Sequence, residues 1–141
     1  MTGGFVADAS VAVAWAVPSR ASMRTDSLLD AVASGTPLIV PSIWPFEVAN
    51  ALLVLVRRKK IMPADRDQAL VFFRRLAPDV DNEGVAHALT TIAGLAAEAG
   101  LSVYDAAYLE LAMRRALPLA SIDGPLTKAA RRRSVAVLDF K

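Results

Sequence analysis

A chain of 141 residues is long enough to bury a real core and too short for two, so a single domain over 1–141 is expected. Hydrophobic residues make up 55% and charged residues 21%; the net charge of +2 and a pI of 9.3 tolerate an anionic partner without requiring one. The absence of cysteine excludes disulfides, thiolate metal sites and thiol nucleophiles.

Short apolar runs alternate with longer helical patterns, the arrangement of α/β units on a parallel sheet. Residues 5–7 read as a first strand and 10–16 as a short helix stopped by Pro18. A second helix covers 21–34 and closes at Gly35, followed by a strand at 38–40. A long helix runs over 43–59, with Pro45 in its first turn, where proline is tolerated. Pro63 opens the next helix, which turns Leu70, Phe73 and Leu76 to the core. Asp79, Asp81 and Glu83 fall in a polar stretch before a helix over 85–99 that ends at Gly100. A helix over 102–115, a strand at 119–120, a helix over 125–132 and a last strand at 135–138 complete the chain. The start, Met1-Thr2-Gly3-Gly4, lacks a basic region, and the most apolar run, 43–56, is too short for a bilayer and interrupted by Glu47. A cytoplasmic protein with no membrane partner is expected.

Most acids sit where solvent explains them: Asp26, Asp30, Asp65, Asp67, Glu98 and Glu110 lie on polar faces of the expected helices. Glu47 differs, being the only ionisable residue between Thr36 and Arg57. A carboxylate buried there needs partners or a metal, since desolvation otherwise costs several kcal/mol. The alternative is a solvated position in the helix's first turns, on nearly the same face as Asn50. Asp8 ends the first strand, and a simple N-cap accounts for it. Ser102-Val103-Tyr104-Asp105 has capping-box spacing, and Asp123 precedes Gly124-Pro125 as an ordinary turn aspartate.

Together these acids say more than they do singly. In a parallel sheet, strand C-termini and helix N-termini share one edge, where ligands bind, and Asp8, Glu47, Asp105 and Asp123 all map to it. Crowded carboxylates repel unless protonated or neutralised by a cation. An all-oxygen set suits Mg²⁺ or Mn²⁺ rather than Zn²⁺, and His87, among alanines, reads as structural. Magnesium held by carboxylates points to phosphoryl chemistry.

Four stretches carry a resemblance: Val6-Ala7-Asp8-Ala9-Ser10, Pro41-Ser42 with Phe46-Glu47-Val48-Ala49-Asn50-Ala51-Leu52, Ser102 to Leu109, and Leu119 to Leu126. In order and spacing the chain resembles PIN-domain ribonucleases, and specifically VapC toxins of type II toxin–antitoxin systems. Ser121 stands where that family usually has threonine, which keeps the hydroxyl. The resemblance implies a three-layer α/β/α PIN-like fold with a central parallel sheet. It also implies a metal-dependent endoribonuclease that cuts structured RNA, tRNA or rRNA, by metal-activated water attack on a phosphodiester. Asp8, Glu47, Asp105 and Asp123 carry over as the catalytic quartet and Ser10 and Ser121 as supporting hydroxyls. A homodimer and a cognate VapB-type antitoxin are implied as partners. Within that mechanism Asp8, Asp105 and Asp123 are expected to ligate Mg²⁺ or Mn²⁺, with Glu47 orienting or deprotonating the nucleophile.

Basic residues expected near this edge are Arg20, Arg24 and Lys128, as candidates for RNA binding. Arg57 to Lys60, Arg114-Arg115 and Arg131 to Arg133 close helices, where cations are favoured without any RNA. A receiver-type phosphoacceptor domain would also gather acids around Mg²⁺. It would want an acidic pair after the first strand, yet Asp8 stands between Ala7 and Ala9. A catalytically inactive PIN-like RNA-binding module is the remaining alternative.

Overall fold

The computed structural model describes residues 3–138. A four-stranded parallel sheet is ordered β3-β2-β1-β4, with β1 (Phe5–Ala7), β2 (Leu38–Pro41), β3 (Asp79–Asp81) and β4 (Leu119–Ala120). β1, β2 and β4 are entirely buried, as expected of apolar strands covered on both faces. Helices α1 (Ala9–Ala16), α2 (Met23–Ala33), α3 (Trp44–Arg57) and α4 (Pro63–Leu76) stack on one side, α1 against β1 and α3. Helix α6 (Val103–Arg115) packs on β1, β2 and β4, beside α5 (Ala93–Ala99) and α7 (Gly124–Arg132). The expected three-layer α/β/α PIN-like fold with a central parallel sheet is the one observed.

Local chemistry places the elements. In α3, Trp44, Val48, Leu52 and Leu55 recur at helical spacing and form its buried face, while Pro45 sits in the first turn. Ser22 and Thr25 exchange capping hydrogen bonds at the start of α2, and Asp65 accepts from the Met62 N–H at 2.8 Å ahead of α4. Gly4 enters β1 at φ +92°, and a Cβ there would lie 2.7 Å from the Pro37 carbonyl oxygen, so only glycine fits.

Three expectations need correction. β3 lies in the polar stretch where no strand was expected; an Asp-Val-Asp strand lacks an apolar run because it forms the sheet edge, and Asp81 is neutralised from outside the strand. The expected helix over 85–99 is broken into a 3₁₀ turn (Gly84–His87), a π turn (Ala88–Ile92) and α5. The Gly84 N–H donates to Asp81 Oδ2 at 3.0 Å, which pins the start of this segment, and Thr90, Thr91 and Gly94 are weak helix formers. The expected last strand is reduced to a bridge between Leu119 and Val137. No single helix among the described residues is long and apolar enough to cross a membrane.

Candidate active site

The sheet order contains a reversal. β1 lies between β2 and β4, and the helices that follow β1 and β4, α1 and α7, leave for different layers. Such a switch point opens a crevice at the strand C-termini, the place where ligands bind in open α/β sheets. Asp8 follows β1 there and Asp123 follows β4. Glu47 lies in the first turn of α3, immediately beyond β2, and Asp105 in the first turn of α6.

Register explains the closest contact. Ala7 pairs with Ala120, so the next residues, Asp8 and Ser121, stand side by side, and the Ser121 hydroxyl donates to Asp8 Oδ2. Asp8 Oδ1 accepts from the Ser10 hydroxyl, from the Ser10 N–H at 3.1 Å and from the Val11 N–H at 3.4 Å. Each serine in turn accepts from the turn after β4. The Ile122 N–H donates to Ser10 Oγ at 3.1 Å and the Asp123 N–H to Ser121 Oγ at 2.9 Å. Two hydroxyls therefore tie a carboxylate that is only 5% exposed to the backbone carrying Asp123. Ser10 and Ser121 occupy the supporting positions expected for them.

The capping alternatives resolve differently at each acid. Asp8 is both the N-cap of α1 and a member of the cluster. At α6, the Asp105 N–H donates to Ser102 Oγ at 3.0 Å, and the Ser102 side chain also lowers the Asp105 pKa, an effect outweighed by burial and the neighbouring charges. Asp123 makes no side-chain capping bond to α7. Glu47 is half-buried, and its Oε1 accepts from the Tyr108 hydroxyl at 2.6 Å. Tyr108, buried on α6, was not a candidate from sequence; its position three residues after Asp105, on the same helical face, was the available signal.

Burial pushes the Asp8 carboxyl up against the lowering effect of its serine bonds, and the charge of Asp123 adds to the rise. Glu47 is raised by burial, opposed by the Tyr108 bond and reinforced by the charge of Asp8. Asp105 is pushed up to about 6 by burial, then by the charges of Asp123, Asp8 and Glu47. Asp105 thus feels the other three acids, and no ion pair among the described residues neutralises the four. Among the described residues no three acidic or histidine side chains are arranged, as they stand, to hold an ion. The donor set itself, oxygen-only, mutually repelling and free of sulfur, fits a hard divalent cation, with Asp8, Asp105 and Asp123 the residues that would hold it.

Exposed apolar side chains border these acids: Phe46 before Glu47, Val103 and Tyr104 before Asp105, and Ile122 before Asp123. The basic candidates are dispersed. Arg20 ends a 3₁₀ turn whose Pro18 and Ser19 line a cavity with Lys60 and Ile61, beyond the far end of α3. Arg24 lies in the first turn of α2, and Lys128 lines a groove between α5 and α7 with Glu98 and Arg132. Glu110, expected to be solvated, is instead 5% exposed and bound at 2.7 Å by Arg114, one turn further along α6. Arg114 also grips Asp81 at 2.7 Å and Glu83 at 3.2 Å, so this basic residue closes its helix through carboxylates.

No protein-family model matches the sequence, and no curated protein matches it. Solved structures do share its fold. PAE2754 from Pyrobaculum aerophilum aligns with a TM-score of 0.71 at 20% identity, over 96% of this chain and 84% of that one. FitAcB from Neisseria gonorrhoeae aligns with a TM-score of 0.60 at 20% identity, over 96% of each chain. The chain therefore has a fold also found in those two proteins, and its acidic edge lies at the crevice where such a sheet binds ligands.

Proposed function

We propose that this chain is a Mg²⁺- or Mn²⁺-dependent endoribonuclease of the PIN-domain, VapC-like kind, the toxin of a type II toxin–antitoxin pair. The observation that carries the reading is the gathering of Asp8, Glu47, Asp105 and Asp123, from four separate elements, at the switch-point crevice with their repulsion unrelieved. Asp8, Asp105 and Asp123 would hold the ion, which when bound supplies charge neutralisation at a phosphate and acidifies a water. Ser10 and Ser121 fix the orientation of Asp8 and couple it to the turn bearing Asp123. Glu47, with Oε1 tied to Tyr108, keeps Oε2 to orient the attacking water or take its proton. RNA is the substrate class and a tRNA or rRNA element the expected target, following the resemblance.

Asp8→Asn and Asp105→Asn test this. Asparagine still caps a helix, so the fold survives at position 8. Cleavage of tRNA is expected to fall by about 10²-fold or more in each variant. The melting temperature of the metal-free variants stays level or rises, because one repelling charge is gone, and the upward shift that Mn²⁺ gives the wild type shrinks. Retained cleavage with destabilised metal-free variants would overturn the assignment. The same reading expects a homodimer and an amphipathic antitoxin segment covering Phe46, Val103, Tyr104 and Ile122, with an arginine reaching the acids. Sedimentation at micromolar concentration checks the dimer; a monomer at every concentration rejects it.

A further inference from the structure

We propose that Tyr108 is a positioning residue for Glu47, its phenol holding Oε1 so that Oε2 alone is presented to the acidic crevice. The inference rests on the nuclease reading above and extends it to a residue that reading does not require. Tyr108 is 1% exposed on α6, and its hydroxyl donates across to α3 at 2.6 Å, spanning 61 positions of sequence. A phenylalanine would fill the same space, so packing does not call for the hydroxyl. A phenol buried this deeply needs a partner, and the recorded one is Glu47.

Glu47 has equal need of the phenol. It sits half-buried with the charges of Asp8 and Asp105 close by, and those repel it. Left untethered, a glutamate on the first turn of a helix would swing toward solvent through three torsions. The phenol supplies the one attractive contact recorded for its carboxylate among the described residues. Burial and the charge of Glu47 also hold the phenol far above its ordinary range, so it remains a donor throughout the working pH range. The arrangement repeats what happens at Asp8, where serine hydroxyls take one oxygen each. Asp8 and Glu47 are thus each held by a hydroxyl from another element. Tyr108 and Asp105 ride on the same turn of α6, so one helix fixes the tether of one acid and supplies another.

The test is a double-mutant cycle on the full chain with Tyr108→Phe, Glu47→Gln and the pair. Cleavage of a labelled tRNA is followed under single-turnover conditions with Mn²⁺, so that residual rates remain readable. Tyr108→Phe is expected to lower the maximal rate roughly tenfold, the worth of one charge-assisted hydrogen bond, with the half-saturating concentration unchanged. In the Glu47→Gln background the same change is expected to do nothing further. Effects that multiply in the double variant, or an unchanged rate in Tyr108→Phe, overturn the proposal. Thermal melts of the same variants without metal give a readout free of activity. There, non-additive shifts support the tether and additive shifts overturn it. If wild type and Tyr108→Phe cleave nothing, the nuclease reading fails, and the melts alone decide whether the two side chains are coupled.

Discussion

Two carboxylate clusters lie in this small fold, one where β1 and β4 end and one at the β3 border of the sheet. At the strand C-termini, Asp8, Glu47, Asp105 and Asp123 gather with hydroxyls bound to Asp8 and Glu47 and, among the described residues, no cationic side chain paired to them. Near β3, Asp81 and Glu110 are as deeply buried as Asp8, yet both are held by the Arg114 guanidinium. Charge settles the contrast: the flank cluster is finished within the chain, and Arg114 holds Asp81 well below the usual carboxylate range. The edge cluster is pushed the other way, with Asp105 raised to about 6. Burial of acids does not by itself mark a functional site; burial without internal neutralisation does.

The largest effect should come from breaking the finished cluster. Arg114→Met strands two buried carboxylates and is expected to lower unfolding stability by about 3 kcal/mol, read by urea titration. Cleavage per folded molecule should stay at wild-type level. A smaller loss than that of an ordinary surface substitution would mean that the two clusters do not differ as described.

The next effect has the opposite sign. Asp105 titrates near 3.8 when unfolded and at about 6 when folded, so folding favours its protonated form. Its destabilisation is absent below 3.8, grows as pH rises through that window, and is complete above about 6. Metal-free protein should therefore lose stability over this range, by about 1 kcal/mol after allowance for solvent screening. Asp105→Asn should flatten the slope. The flank cluster responds in reverse: the stability contributed by Asp81 is present above 3.8 and lost as pH falls through its lowered folded value. A slope unaltered in Asp105→Asn would sink this account.

The smallest effects belong to the basic surface. Arg133 donates to the Ala129 carbonyl at 3.5 Å and reaches the exposed Glu98 at 3.8 Å, so Arg133→Ala should cost roughly 0.5 kcal/mol. Removing Lys128 should instead flatten the salt dependence of RNA binding, because fewer counterions are released. An unchanged slope in Lys128→Ala would show that the RNA does not reach the groove between α5 and α7.

Much of this was legible in the residues. β1, β2 and β4 announce themselves as apolar runs, and prolines and cap residues mark the helix starts. Asp8, Glu47, Asp105 and Asp123 could be assigned to one edge from strand order alone, since a parallel sheet fixes which ends meet. What sequence could not decide was whether three of them were only caps: Asp8 does both jobs, Asp105 half of one, and Asp123 makes no capping bond. The burial of Glu110 is not legible because an acid on the polar face of a helix pattern looks solvated, whereas here Arg114 holds it together with Asp81 of β3. β3 escaped notice because its aspartate is neutralised from a helix 33 positions away, and the Tyr108–Glu47 bond spans 61. Local pattern carries no record of such partners.

The acidic border strand has a consequence for how these molecules behave in a crowd. β3 offers open backbone on its outer side, a ready template for a strand from a neighbouring chain. Its short Asp-Val-Asp sequence discourages that, since a second copy docking edge to edge would bring like charges together. Arg114 and Arg115 complicate the protection by answering those charges from within, Arg115 reaching Asp79 at 3.6 Å. Three residues of edge, charged and pinned to α6, leave little length for a foreign strand to read, which protects the chain against fibrillar self-association.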